Sequence, residues 1–335
     1  MKAPNNKALI NRDHLLNADR AGFGMAALEL FRYQYRYNNI YRQFCDALHV
    51  REDDVDDITR IPFLPISFFK THTVLTSPAA MAADLLTFES SGTTDEATSR
   101  HYVWDNGVYE TSLLSGFQQF YGDPANYAIL ALLPSYLERK NASLVYMAKT
   151  LMAAGRHPAN GFYIDEWQAL ADTLQQLELS GQKTLLLGVT FALLDFAHAY
   201  PMALRNTIVM ETGGMKGRKK ELTRAEVHNK LHEKLGVQAV HSEYGMTELL
   251  SQAYAAEHGI FMPTATMQVL VRDVNDPLDV STHGSGVLNI VDLANMYSCA
   301  FIATDDIGII AADGSFEVLG RLDHSALRGC SLMAV

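Results

Sequence analysis

Thr184-Leu185-Leu186-Leu187-Gly188-Val189, followed by Thr190-Phe191-Ala192-Leu193-Leu194-Asp195-Phe196-Ala197-His198-Ala199, decides the fold class. The first run is apolar at consecutive positions, as in a strand buried on both faces, and the second spaces its apolar residues for a helix. Working outward, the alternation recurs. Strands are predicted over 85–88, 127–133, 207–210 and 237–240, and helices over 107–120, 141–153 and 223–235. Alternation at this spacing predicts an α/β fold, a mainly parallel or mixed sheet covered by helices on both faces.

Toward either end the pattern changes. Residues 12–48 contain no proline and read as two helices, with a break at Gly22 and Gly24. The acidic residues Glu52, Asp53, Asp54, Asp56 and Asp57 suit a solvated turn, and Ile61-Pro62-Phe63-Leu64-Pro65 cannot continue a helix through two prolines. From Met262 onward, short β runs at 267–271, 286–291, 307–311 and 316–319 are separated by Gly and Asp turns. The expected organisation is a helical preface (1–60), an α/β core (61–261) and a smaller β-rich C-terminal subdomain with a cysteine-bearing tail (262–335).

Composition narrows the function classes. The 335 residues are 48% hydrophobic and 19% charged, enough for a large core. A net charge of -11 and a pI near 5.5 exclude a broad basic footprint, so neither nucleic acid nor an anionic membrane surface is an expected partner. No apolar stretch reaches the roughly 20 residues of a membrane span, and the first residues carry no apolar signal core, so a cytoplasmic location is expected. Cys45, Cys299 and Cys330 are odd in number, far apart and without a CxxC pair, which argues against a disulfide framework or a zinc site.

Three segments carry chemistry. Phe88-Glu89-Ser90-Ser91-Gly92-Thr93-Thr94 runs from a predicted strand into a loop of small hydroxyl residues around a glycine. Such a loop can turn several N–H and O–H donors toward a phosphate, although by itself it is more often an ordinary turn; the GxxxxGK[ST] spacing is absent. His241-Ser242-Glu243-Tyr244-Gly245-Met246-Thr247-Glu248 follows the strand predicted at 237–240. There Thr247 is expected to cap a helix containing Leu249 and Leu250, with Glu248 offering a carboxylate to magnesium; a plain cap with a first-turn acid is the simpler alternative. In Thr304-Asp305-Asp306-Ile307-Gly308 and Gly320-Arg321, Asp306 has the chemistry to accept ribose hydroxyls, and Arg321 to pair with phosphate or that carboxylate. Asp313-Gly314 between them predicts a hairpin turn.

In this order the segments resemble the adenylate-forming superfamily of acyl and aryl ligases. Within it they look most like the acyl-protein synthetases of the bacterial long-chain fatty acid reductase system. The likeness spans about residues 60–335 and is densest in IPFLPISFFK (61–70), FESSGTT (88–94) and LGRLDHSALRGCSL (319–332). It implies that Ser90, Ser91, Gly92, Thr93 and Thr94 hold ATP phosphates. By the same likeness Tyr244, Gly245 and Met246 flank the adenine and the acyl carboxylate, Thr247 touches the α-phosphate, and Glu248 binds Mg2+. Asp306 is implied at the ribose with Arg321 close by, and Thr212-Gly213-Gly214 resembles the adenine-side loop.

The resemblance further implies that a carboxylic acid, expected to be fatty, is converted with ATP to an acyl-adenylate. The acyl group then passes to a cysteine, for which Cys330 in Arg328-Gly329-Cys330-Ser331 is the match, and on to an acyl-CoA-reductase-like partner. Two departures stand out. Residues 322–335 leave no room for the mobile C-terminal domain that supplies a lysine elsewhere in the superfamily, so Lys70, Lys149, Lys216 or a partner would have to substitute. Asp305 also stands where glycine is common. The alternatives are a freestanding acyl- or aryl-CoA ligase and a non-catalytic nucleotide- or partner-binding module.

Other features read more plainly. His228 and His232 lie in HNKLH, not HExxH, and are expected on a solvated helix face. Lys216, Arg218, Lys219 and Lys220 form a basic knot expected in a solvated loop, and Phe31, Tyr33, Tyr35, Tyr37 and Tyr41 are expected to pack the preface against the main body.

Overall fold

Apolar runs with no polar alternation become the middle of the sheet. Ala128–Leu132 and Thr184–Val189 are buried at every position, as parallel strands covered on both faces must be. The computed structural model describes residues 10–76, 85–90, 98–134, 141–213 and 222–322. Within it, Gly161–Phe162, Ala128–Leu132, Thr184–Val189, Thr207–Thr212 and Val240–Tyr244 lie side by side in that order, all parallel.

The sheet does not stop there. Ala253–Ala255 returns antiparallel to Val240–Tyr244, and Ile260–Pro263 pairs with it on one side and with Phe316–Arg321 on the other. Phe301–Ile310, Gly284–Asp292, Met267–Arg272 and Val280–Ser281 follow, all antiparallel, and Leu64–Pro65 joins Phe301–Ile310 in parallel. The result is one 13-stranded mixed sheet, the α/β fold expected from the sequence. The boundary read at 261/262 falls inside the strand Ile260–Pro263, while the change from parallel to antiparallel pairing comes one strand earlier, between Val240–Tyr244 and Ala253–Ala255.

Helices form where caps and stops frame an apolar stripe. In Arg224–Leu235, Thr223 and Glu226 form a reciprocal capping box and Gly236, at φ 62°, ends the helix in the left-handed region. Asn106–Tyr121 is capped by Asp105. Trp167–Ser180, which buries Leu170, Leu174 and Leu177, was not anticipated.

Three sequence expectations need correcting. The last parallel strand is Val240–Tyr244, not 237–240, because the chain leaves the helix at Gly236 and meets Val209 only at Val240. The strand expected over 85–88 is Leu86–Glu89, and it pairs with Arg100–Val103 in a separate two-stranded sheet rather than joining the main one. Residues 12–48 hold three α-helices rather than two, Arg12–Leu16, Phe23–Tyr37 and Asn39–Ala47. Phe31 and Tyr41 are fully buried against Phe301, as aromatic packing predicted. Buried Gln34 fastens the preface to the antiparallel half: its Nε2 donates to the carbonyls of Asn295, Met296 and Ser298, and its Oε1 accepts from the Ala300 N–H.

Candidate active site

Successive side chains of a strand point to opposite faces, so the end of Val240–Tyr244 serves two environments. Tyr244 donates its hydroxyl to Oδ2 of Asp306 at 2.9 Å, and Arg321 donates Nε–H to Oδ1 at 2.8 Å. Asp306 and Arg321 are direct partners in the ladder between Phe301–Ile310 and Phe316–Arg321, closed by the expected Asp313-Gly314 turn, with Gly314 at φ 86°. Burial, with Asp306 nearby, raises the Tyr244 pKa well above its usual value, so its hydroxyl remains a donor. Asp306 is 5% exposed, whereas the Arg321 side chain is 56% exposed. The carboxylate is thus oriented by two donors and retains lone pairs for a ligand.

After Tyr244 the chain turns. A Cβ on Gly245 would overlap the Glu243 carboxylate, so a larger residue there would push that carboxylate aside. Met246 and Thr247 are partly buried, and Glu248 is 4% exposed. The helix expected after Thr247 does not form: the Leu249 N–H donates to the Met246 carbonyl in a turn, and the chain reverses into Ala253–Ala255. Asp292 removes the amides a helix would need, because its Oδ2 accepts from the N–H groups of Leu250 (2.7 Å) and Ser251 (3.1 Å). Thr247 therefore sits in a turn rather than at a helix cap.

The remaining sequence-predicted residues distribute unevenly. Ser90 ends the Leu86–Glu89 hairpin; its N–H donates to the Ser99 carbonyl at 3.1 Å and its Oγ accepts from the Ser99 N–H at 2.9 Å. Ser91, Gly92, Thr93, Thr94, Gly214, Lys216 and Cys330 lie outside the described residues. Gly213 has φ 72°, and its carbonyl is 3.0 Å from the Thr190 hydroxyl. Lys70 and Lys149 are exposed on separate helices, Phe68–Thr71 and Ser143–Gly155. Cys45 and Cys299 are buried thiols; burial raises both pKa values, Cys45 to about 12, which makes them poor nucleophiles.

His228 is not on a solvated face: its Nε2 lies 3.0 Å from Glu211, while His232 is exposed as expected. Sequence reasoning also passed over the polar residues beneath the site, Glu211, Glu243, His101, Asn295 and Asp292, all buried. Glu211 and Asp292 stand in apolar runs, and Glu243 lies inside the 241–248 segment, but no spacing links the five.

Among the described residues no group of three or more His, Cys, Asp or Glu could hold a metal alone. Mg2+, which takes most of its ligands from phosphates and water, needs only one or two carboxylates, and a single buried Glu248 fits that demand. No helix among these residues is long and apolar enough to cross a membrane.

A family described as "Acyl-protein synthetase, LuxE" matches residues 19–100 and 168–334. The chain is 25% identical over 329 residues to the long-chain-fatty-acid–luciferin-component ligase of Vibrio harveyi, covering 90% of this chain and 84% of that one. Among solved structures, 2-hydroxyisobutyryl-CoA ligase in its postadenylation state superposes with a TM-score of 0.65 at 10% identity, over 96% of this chain and 72% of that one. ATP-bound MatB from Rhodopseudomonas palustris gives 0.53 at 18% identity, over 73% of this chain and 50% of that one. The chain thus spans about half the length of MatB.

Proposed function

We propose, for a chain that belongs to the acyl-protein synthetase family LuxE, that it activates a fatty acid with ATP and carries the acyl group on a cysteine. One observation carries the reading. The structure joins two separate motif segments, since Tyr244 and Arg321 grip the two oxygens of Asp306. That leaves an oriented carboxylate for ribose hydroxyls at the edge of the Gly245–Glu248 turn.

A free carboxylate resists thiol attack because oxide is a poor leaving group. Its oxygen instead forms a bond to the α-phosphorus of ATP while the bond to the departing pyrophosphate breaks. In this reading Thr247, on the turn that His101 links to Arg100–Val103, holds the α-phosphate together with donors from residues 90–94. Donors set in advance toward developing phosphate charge are the largest single aid to such a displacement. Magnesium bound at Glu248 would neutralise phosphate charge. The Cys330 thiolate then attacks the acyl carbon, AMP leaves, and a thioester remains to be passed to a reductase-like partner. The family's description and the name of the Vibrio harveyi ligase support the activation of a fatty acid and its attachment to protein.

The test is incubation with ATP, Mg2+ and radiolabelled fatty and aryl acids, followed by denaturing gels of the wild type and Cys330→Ser. Hydroxylamine-sensitive label on the wild type alone is expected. Pyrophosphate release with no label on either protein would remove Cys330 as carrier and move the assignment to a ligase that delivers acyl groups to free coenzyme A.

A further inference from the structure

His101 is fully buried on Arg100–Val103, the strand paired with Leu86–Glu89. Its Nδ1 lies 2.9 Å from the Thr247 carbonyl oxygen and its Nε2 2.9 Å from Oδ1 of Asn295. Asn295 donates Nδ2–H to the Glu248 carbonyl at 2.7 Å and to Asp292 Oδ2 at 3.3 Å. The Asp292 carboxylate also gathers Leu250 and Ser251, so one buried network spans the whole turn from 247 to 251. Phe69 meets the His101 ring edge-on at a centroid distance of 5.7 Å, and Phe88 lies 6.5 Å away, so packing fixes the ring's plane.

We propose that His101 is a positioning residue. Through Thr247 and Asn295 it ties the strand Arg100–Val103 to the backbone of Thr247 and Glu248, setting Thr247 and the metal-binding Glu248 in register. This rests on the acyl-activation reading. Two features of the geometry support it. The ring contacts the Thr247 main-chain carbonyl directly and reaches the Glu248 carbonyl through Asn295, so a shift of the ring is passed to the backbone of both. Among the residues of the strands Leu86–Glu89 and Arg100–Val103, which stand apart from the main sheet, His101 is also the buried polar side chain. A displacement on the order of 1 Å in such a frame is enough to cost about a hundredfold in rate.

The experiment compares His101→Phe with His101→Asn, whose amide places a donor where Nδ1 stands. In acid-dependent pyrophosphate exchange at saturating ATP, His101→Phe is expected to lower kcat about 100-fold with the KM for the acid within about twofold. His101→Asn is expected to recover about tenfold of that loss. Titration of the nucleotide with and without Mg2+ gives a readout independent of turnover: His101→Phe should weaken magnesium-supported ATP binding about tenfold and leave magnesium-free binding unchanged. Equal losses in the two variants, or a loss that tracks the drop in melting temperature, would overturn the proposal. A wild type with no exchange but intact magnesium-supported binding would defeat the acyl-activation reading and leave the binding test of His101 standing.

Discussion

Two glutamates buried side by side have opposite fates. Glu211 on Thr207–Thr212 is paired in register with Ser242, and Glu243 on Val240–Tyr244 with Thr212, so their side chains leave opposite faces of the same pair of strands. Glu211 accepts hydrogen bonds from Thr190 and Ser242 at 3.0 Å each, faces His228 at 3.0 Å, and has the Arg224 guanidinium 3.7 Å away. Burial pushes its pKa up, but His228, Thr190 and Arg224 outweigh burial and hold it below the ordinary carboxyl value. Glu243 faces Tyr109, Tyr121 and Tyr254, with one hydroxyl donor, from Thr212, and burial carries its pKa up to about 7. Depth alone does not set charge at these strand ends; the company on each face does.

Glu243→Gln should have the largest effect on that contrast. A carboxyl whose pKa is raised on folding contributes stability in full below its unfolded value near 4.5 and loses it as pH rises to about 7. Replacement by a neutral amide should therefore stabilise the protein at pH 8 by on the order of 3 kcal/mol relative to wild type, and change little at pH 4. Denaturant titrations at the two pH values measure it; an equal effect at both would mean that Glu243 is not carrying a proton in the fold.

Glu211→Gln should act in the other direction. A depressed pKa contributes stability above the unfolded value and loses it as pH falls through the folded one. The substitution should cost about 2 kcal/mol at pH 7, a cost that shrinks in acid and that urea melts across pH would trace. A smaller effect belongs to Tyr254→Phe. The Tyr254 hydroxyl is buried beside Glu243 with no hydrogen-bond partner among the described residues, so its removal should gain about 1 kcal/mol. A loss instead would show that the hydroxyl is satisfied after all, and that the Glu243 face is less bare than its neighbours suggest.

The sequence was most legible where burial is uniform. Thr184–Val189 and Thr190–Ala199 match their expected bounds because every residue of the strand is apolar enough to be read alone. It was least legible where polar residues are buried. His241, Ser242 and Glu243 look like loop, yet they form the strand, because Met210, Glu211 and Thr212 on the neighbouring strand pair with them and supply partners no local window contains. Thr247 failed as a helix cap for the same reason: Asp292, distant in sequence, takes the Leu250 and Ser251 amides. Asp306 and Arg321 were legible as chemistry, but the third member of their group, Tyr244, is joined to them only by the fold.

The attachment of the preface bears on how the chain is made. Gln34 has its hydrogen-bond partners at residues 295–300, and Tyr41 stacks on Phe301. On a ribosome, the helices Phe23–Tyr37 and Asn39–Ala47 emerge early and must wait with their apolar faces exposed until that late stretch has been synthesised. The preface leaves the tunnel about 250 residues before the stretch it docks on, so its apolar faces are a place where chaperone protection would count.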